Sequence, residues 1–116
     1  MKMETVVRIS KTEYEIIFDE PTYTISFRMN KQIRKSLEGK YKNFSELIRK
    51  SLAEQIECIS ERDLLTLARL KGNQVVSFRL KQSKLQKLDE EAKRLKVTRS
   101  DLILIKLGRA IFNEIH

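Results

Sequence analysis

Two short runs of the chain alternate between apolar and polar residues. In the first, Tyr23, Ile25, Phe27 and Met29 are separated by Thr24, Ser26 and Arg28; in the second, Val76, Phe78 and Leu80 alternate with Val75, Ser77 and Arg79. Successive side chains of an extended backbone point to opposite faces, so each run predicts a strand with one buried face and one open face.

After each run the period becomes helical. Ile33 and Leu37 fall on one stripe, and Gly39 stands where a glycine would cap a helix C-terminus. Asn43 with Glu46 three residues later predicts the opening of a second helix, whose inner side would carry Leu47, Ile48, Leu52, Ile56 and Ile59. In the second half, Leu85, Leu88, Ala92 and Leu95 keep the helical period. Thr98 with Asp101 then opens a last helix, with Val97 set to pack on Leu102. Between the halves, Ser60 and Asp63 start a linker helix that runs through Leu70 and stops at Gly72 and Asn73. Ahead of everything, residues 6–18 are rich in Val, Ile, Tyr and Phe and predict one or two short strands, ended by Pro21.

The pattern is therefore strand–helix–helix, written twice. Ser77 lies 51 positions after Ser26 and Ser100 lies 55 after Ser45, so the second copy has gained four residues in or just after its first helix. Four residues make about one helical turn. The organisation expected is an N-terminal extension (1–21), a first unit (22–59), a linker helix (60–73) and a second unit (74–116), in a mainly α fold with a short β-ribbon. A chain of 116 residues suits one compact unit. Half of it would leave a strand with two open edges, so the two strands are expected to pair antiparallel above four helices. That pairing gathers Thr24, Ser26, Arg28, Val75, Ser77 and Arg79 on the open face.

Charge narrows the partners. Lys and Arg number 24 against 16 Asp and Glu, a formal net charge of +8, which favours a polyanion without choosing among DNA, RNA and anionic lipid. Cys58 reads as a small apolar helix residue, and with a single histidine, His116, no Cys/His constellation could hold a zinc; no cofactor is expected. No apolar run approaches the ~20 residues of a membrane span, and the amino terminus lacks the apolar block of a signal peptide. A cytoplasmic protein with no membrane partner is the expectation. No nucleophile–base pair or glycine-rich phosphate loop points to an enzyme, and no motif points to an effector pocket.

The open face has chemistry of its own. A two-stranded ribbon fits the major groove of B-DNA, where Arg grips guanine O6 and N7, Ser donates or accepts, and Thr or Val touches a thymine methyl. The narrow major groove of A-form RNA does not admit a ribbon.

The stretches "TISFRMNKQIRKSLEGKYKNFSELIRKSL" and "VVSFRLKQSKLQKLDEEAKRLKVTRSDLILIKL" resemble the ribbon-helix-helix family of DNA-binding proteins, over roughly residues 23–59 and 74–115. The second copy's "TRSD" is similar to the family's usual helix opening; the first has Asn43, Phe44, Ser45 and Glu46 there, and Lys96 stands where the family often has glycine. The resemblance implies that the two copies form a pseudo-dimer and that the start of each second helix lies on the DNA backbone. Asn43, Phe44 and Ser45 would take that role on one side, and Thr98, Arg99 and Ser100 on the other. Phe44 can offer a phosphate only its amide, so Arg99 is expected to anchor its side more strongly.

The function so implied is a sequence-specific double-stranded DNA-binding transcriptional regulator, more readily a repressor than an activator, whose site need not be palindromic. A ribbon-helix-helix antitoxin and a non-specific DNA-coating protein are the alternatives. The surplus apolar residues at 102–105 and in the linker helix (Leu64, Leu65, Leu67, Ala68, Leu70) either deepen the core or support self-association along DNA.

Overall fold

The computed structural model describes residues 20–113, so the strands expected at 6–18, and His116, lie outside the described residues. The elements are β1 (Thr22–Met29), α1 (Lys31–Lys40), α2 (Phe44–Leu52), α3 (Glu61–Leu70), β2 (Gln74–Lys81), α4 (Gln82–Leu95) and α5 (Arg99–Asn113). The protein is mostly helical with a two-stranded antiparallel sheet, and strand–helix–helix occurs twice with α3 between the copies.

The strands pair along their whole length, from Thr22 opposite Lys81 to Met29 opposite Gln74. Alternation then does what the pleat requires: Ile25, Phe27 and Met29 of β1 and Val76, Phe78 and Leu80 of β2 are all buried. Phe27 and Phe78 meet edge to face, with ring centroids 6.0 Å apart at 75°. Tyr23 shares their parity but sits at the open end of the ribbon and stays exposed. Beneath the sheet the second helices cross over, α5 packing on β1 and α2 on β2, so neither copy completes its core from its own residues. Leu47 and Ile48 of α2 and Leu102, Ile103, Leu104 and Ile105 of α5 fill the centre. The wide apolar run at 102–105 is thus core.

Helix starts follow the caps. The side chains of Asn30, Asn43, Ser60 and Thr98 accept from the amides of Ile33, Glu46, Asp63 and Asp101. At Ser60 the bond is reciprocated, the Asp63 carboxylate accepting from the Ser60 amide. Helix α4 starts without a side-chain cap of its own; instead the Pro21 carbonyl accepts from the Gln82 amide and the Glu20 carboxylate from the Ser83 amide and hydroxyl, which holds the Glu20 carboxyl below its ordinary range. The four extra residues of the second copy lie in its first helix, 14 residues long in α4 against 10 in α1.

Three local expectations are corrected. Gly39 does not cap α1; the helix runs through it to Lys40, and Tyr41 is the cap in extended backbone. Cys58 is exposed and lies outside any helix. Helix α2 stops at Leu52, so Ile56 and Ile59 continue its apolar spacing without its backbone. Ile56 is nevertheless fully buried, in an irregular segment pinned from several sides. The Arg94 guanidinium donates to the carbonyls of Ile56 and Glu57, and Arg109 to that of Cys58. In the linker helix Leu67 and Leu70 face the core, while Leu64 and Leu65 are exposed. Among the described residues no helix is long and apolar enough to cross a membrane.

Candidate nucleic-acid interface

The outward face of the ribbon is built from four cross-strand pairs: Thr22 with Lys81, Thr24 with Arg79, Ser26 with Ser77, and Arg28 with Val75. All eight residues are exposed. The six residues singled out for this face, Thr24, Ser26, Arg28, Val75, Ser77 and Arg79, lie on it together. Ser26 and Ser77 mark its middle, their Oγ atoms 2.9 Å apart. The two arginines flank that pair on opposite strands and at opposite ends. Their Cα atoms are separated by four residues along the ribbon, about 13 Å.

The arginines are not equivalent. Arg79 donates from Nη2 to Thr22 Oγ1 at 2.5 Å, and its own carbonyl accepts from Arg49 of α2 at 3.3 Å. Arg28 has no hydrogen-bond or ion-pair partner among the described residues. One guanidinium is held ready along the ribbon and the other is free. Thr22 and Lys81 extend the polar face at that same end, and sequence reasoning missed them because they fall just outside the alternating runs it used.

The helix starts singled out as phosphate anchors are also formed. Asn43 caps α2 through the Glu46 amide, so the amides of Phe44 and Ser45 have no acceptor inside the helix. Phe44 turns its ring onto the core. At α5, Thr98 caps through the Asp101 amide, and the Arg99 and Ser100 amides are likewise without an intrahelical partner. Ser100 lines a shallow cleft of about 310 Å³ that it shares with Ser26, Arg28 and Val75, so this helix start and the ribbon's outer face border one depression. The Arg99 side chain is committed elsewhere. It pairs with Asp89 of α4 through Nε at 2.7 Å and Nη2 at 3.0 Å, and that carboxylate holds its pKa above the ordinary arginine value. The Arg99 guanidinium is thus held by a half-exposed ion pair while its amide stays open, whereas Phe44 has only an open amide.

Lys96 explains how α5 is aimed. It adopts the left-handed conformation, φ 61° and ψ 41°, that glycine takes most easily, and its amide bonds back to the end of α4. The left-handed turn between α4 and α5 is thus made by a lysine.

A larger cavity, about 850 Å³, opens between α2, α4 and the far end of the ribbon; no motif had announced it. Leu52, Ala53, Leu80 and Leu88 line it, and Arg79, Lys81, Lys84 and Lys87 stand around it. Comparisons with protein-family models, curated proteins and solved structures returned no significant match.

Proposed function

We propose that the chain is a sequence-specific double-stranded DNA-binding regulator, a ribbon-helix-helix pseudo-dimer in one polypeptide that reads the major groove with β1 and β2. One observation carries the reading: an antiparallel ribbon, apolar beneath, whose exposed face sets Arg28 and Arg79 on either side of the Ser26–Ser77 pair. That face is the width of a major groove reader, and arginine is the side chain best shaped to grip guanine from it. Two helix starts with open amides give the phosphates a place to bind. The formal charge of +8 supplies the long-range attraction. Acting by occupancy, such a module would repress more readily than activate.

Selecting bound duplexes from a random pool, then footprinting the winner, tests this. The expected result is one preferred sequence, without perfect dyad symmetry, bound about a thousandfold or more above random duplex at fixed salt. Equal affinity for every duplex, with a steep salt slope, would turn the reading toward a DNA-coating protein. No retention of any duplex would end it.

A further inference from the structure

The repeat makes each half of the protein a control for the other, and one place differs. In the second half, α3 lies along α5. Leu107 and Gly108 are buried there; a Cβ on Gly108 would come within 2.2 Å of the Thr66 methyl and 3.2 Å of Leu70. The end of α3 also meets the end of β1, where the Asn30 amide donates to the Leu70 carbonyl at 2.7 Å and Gly72 sits against the Met29–Asn30 backbone so closely that no Cβ would fit.

Applying the repeat, Leu107 and Gly108 correspond to Leu52 and Ala53, while Met29 and Asn30 correspond to Leu80 and Lys81. All four counterparts line the 850 Å³ cavity. Leu52 is only half-buried and Ala53 is exposed, although their mates are covered. The floor that receives α3 in one half is open in the other, and the residue facing the incoming helix is small in both.

The walls say what kind of helix would fit. Lys81, Lys84 and Lys87 form no ion pair among the described residues, although the Glu20 carboxylate, bonded to Ser83, lies within electrostatic reach of Lys81 and Lys84; of the two acids at the cavity Glu91 is already taken by Lys106 and the Ile56 amide, so the lysines outnumber the remaining one, Glu90. We propose that this groove docks an acidic amphipathic helix of a partner protein, seated as α3 is seated in the other half. The apolar stripe of that helix would lie on Leu52, Ala53 and Leu88 and its carboxylates against Lys84 and Lys87. The groove reaches the end of the ribbon's outer face and shares Thr22, Arg79 and Lys81 with it, but the docking of a helix there does not rest on what the ribbon reads, and the peptide titration is made without DNA.

The test is a titration of the full chain, followed by two-dimensional NMR, with a synthetic peptide of the α3 sequence in which both arginines are replaced by glutamate. Saturable shifts centred on Leu52, Ala53 and Leu88 are expected. Lys84→Glu/Lys87→Glu should weaken binding at least about tenfold, as reversing two close charge pairs requires, and Ala53→Arg, at an exposed position that tolerates it, should abolish binding. A peptide with lysine in place of the glutamates should not bind. Any of the following overturns the proposal: no saturable shift at millimolar peptide, equal binding of the lysine peptide, or shifts centred instead on Leu107 and Gly108. Tighter occupation of the same residues by octanoate, by inorganic phosphate or by a DNA duplex would overturn it in favour of those ligands. Concentration-dependent shifts there without peptide would assign the groove to a second copy, and contacts from residues 1–19 to the Leu52 methyls in the free chain would assign it to the protein's own segment.

Discussion

Ser26 and Ser77 meet across the middle of the ribbon, Oγ to Oγ at 2.9 Å, and every other outward pair is arranged about them. Arg28 lies one outward pair to one side and Arg79 one to the other, about 13 Å apart along the strands. That distance matches about four base-pair steps of B-DNA. Arg28→Ala and Arg79→Ala should each relax preference at one position of the selected site, the two positions separated by about three to five base pairs, at a cost of about 1–3 kcal/mol each. Competition binding against a complete set of single-base variants checks it; loss spread evenly over all positions would make both arginines phosphate contacts.

Because Thr22 orients Arg79 and no described residue holds Arg28, Thr22→Val should affect only one side of the site. Losing the hydrogen bond frees the Arg79 guanidinium to sample rotamers that must be frozen on binding, which costs about 0.5–1.5 kcal/mol. The same competition assay should show weakened discrimination at the Arg79 position and none at the Arg28 position.

Both strands and the starts of three helices were legible in the sequence because they depend on local signals: alternation for β1 and β2, and cap pairs at Asn43, Ser60 and Thr98; α1 and α4 were legible as helices from their period, without their starts. What escaped was decided at a distance. The groove beside Leu52 is set by how α2, α4 and the end of the ribbon come together, and the pairing of Arg99 with Asp89 joins two helices across a turn. Gly39 misled because a glycine near a helix end is a cap only if the chain turns left-handed there, and the turn comes later, in extended backbone at Tyr41. Ile56 misled in a more instructive way: its burial followed the helical period, but its backbone did not.

Asp63 ties the linker helix to the second unit. Its carboxylate accepts from Arg109 Nε at 2.9 Å and Nη2 at 2.7 Å and from the Ser60 amide at 2.8 Å, which together, Arg109 foremost, lower its pKa from 3.8 to about 2. A carboxyl whose folded pKa is depressed adds stability that is complete above its unfolded value and disappears as pH falls through the folded one. The contribution should therefore be intact above about pH 4 and lost towards pH 2, amounting to about 2 kcal/mol. Urea midpoints measured across that window should fall for the parent chain, while Asp63→Asn begins lower and has a shallower acid limb.

Lys96 carries a side chain in a conformation that disfavours one, at the turn that aims α5. Lys96→Gly should stabilise the fold by about 0.5–1 kcal/mol, since relief of the left-handed strain exceeds the entropy glycine adds to the unfolded chain. Thermal unfolding should shift upward by several degrees. An unchanged or lower midpoint would mean that the lysine stem contributes packing that offsets the strain.

The end of α2 is set by an ion pair. Lys106, 2% exposed, donates from Nζ to the Leu52 carbonyl at 3.1 Å and to Glu91, whose other oxygen accepts from the Ile56 amide at 2.7 Å. In a continued helix the Ile56 amide would bond to the Leu52 carbonyl; here the two charged side chains take those two groups instead, and the helix stops. The partners are consequently unequal to remove singly. Glu91→Ala strands a buried ammonium and an amide and should cost about 3–5 kcal/mol, whereas Lys106→Met/Glu91→Met, which removes both charges and fills the space, should cost clearly less. In the double variant the Leu52 carbonyl and Ile56 amide are left to each other, so residues 53–56 should gain helical backbone chemical shifts. A double variant as unstable as Glu91→Ala, with those residues still irregular, would mean that Arg94 and Arg109 fix the segment and that the ion pair merely fits around it.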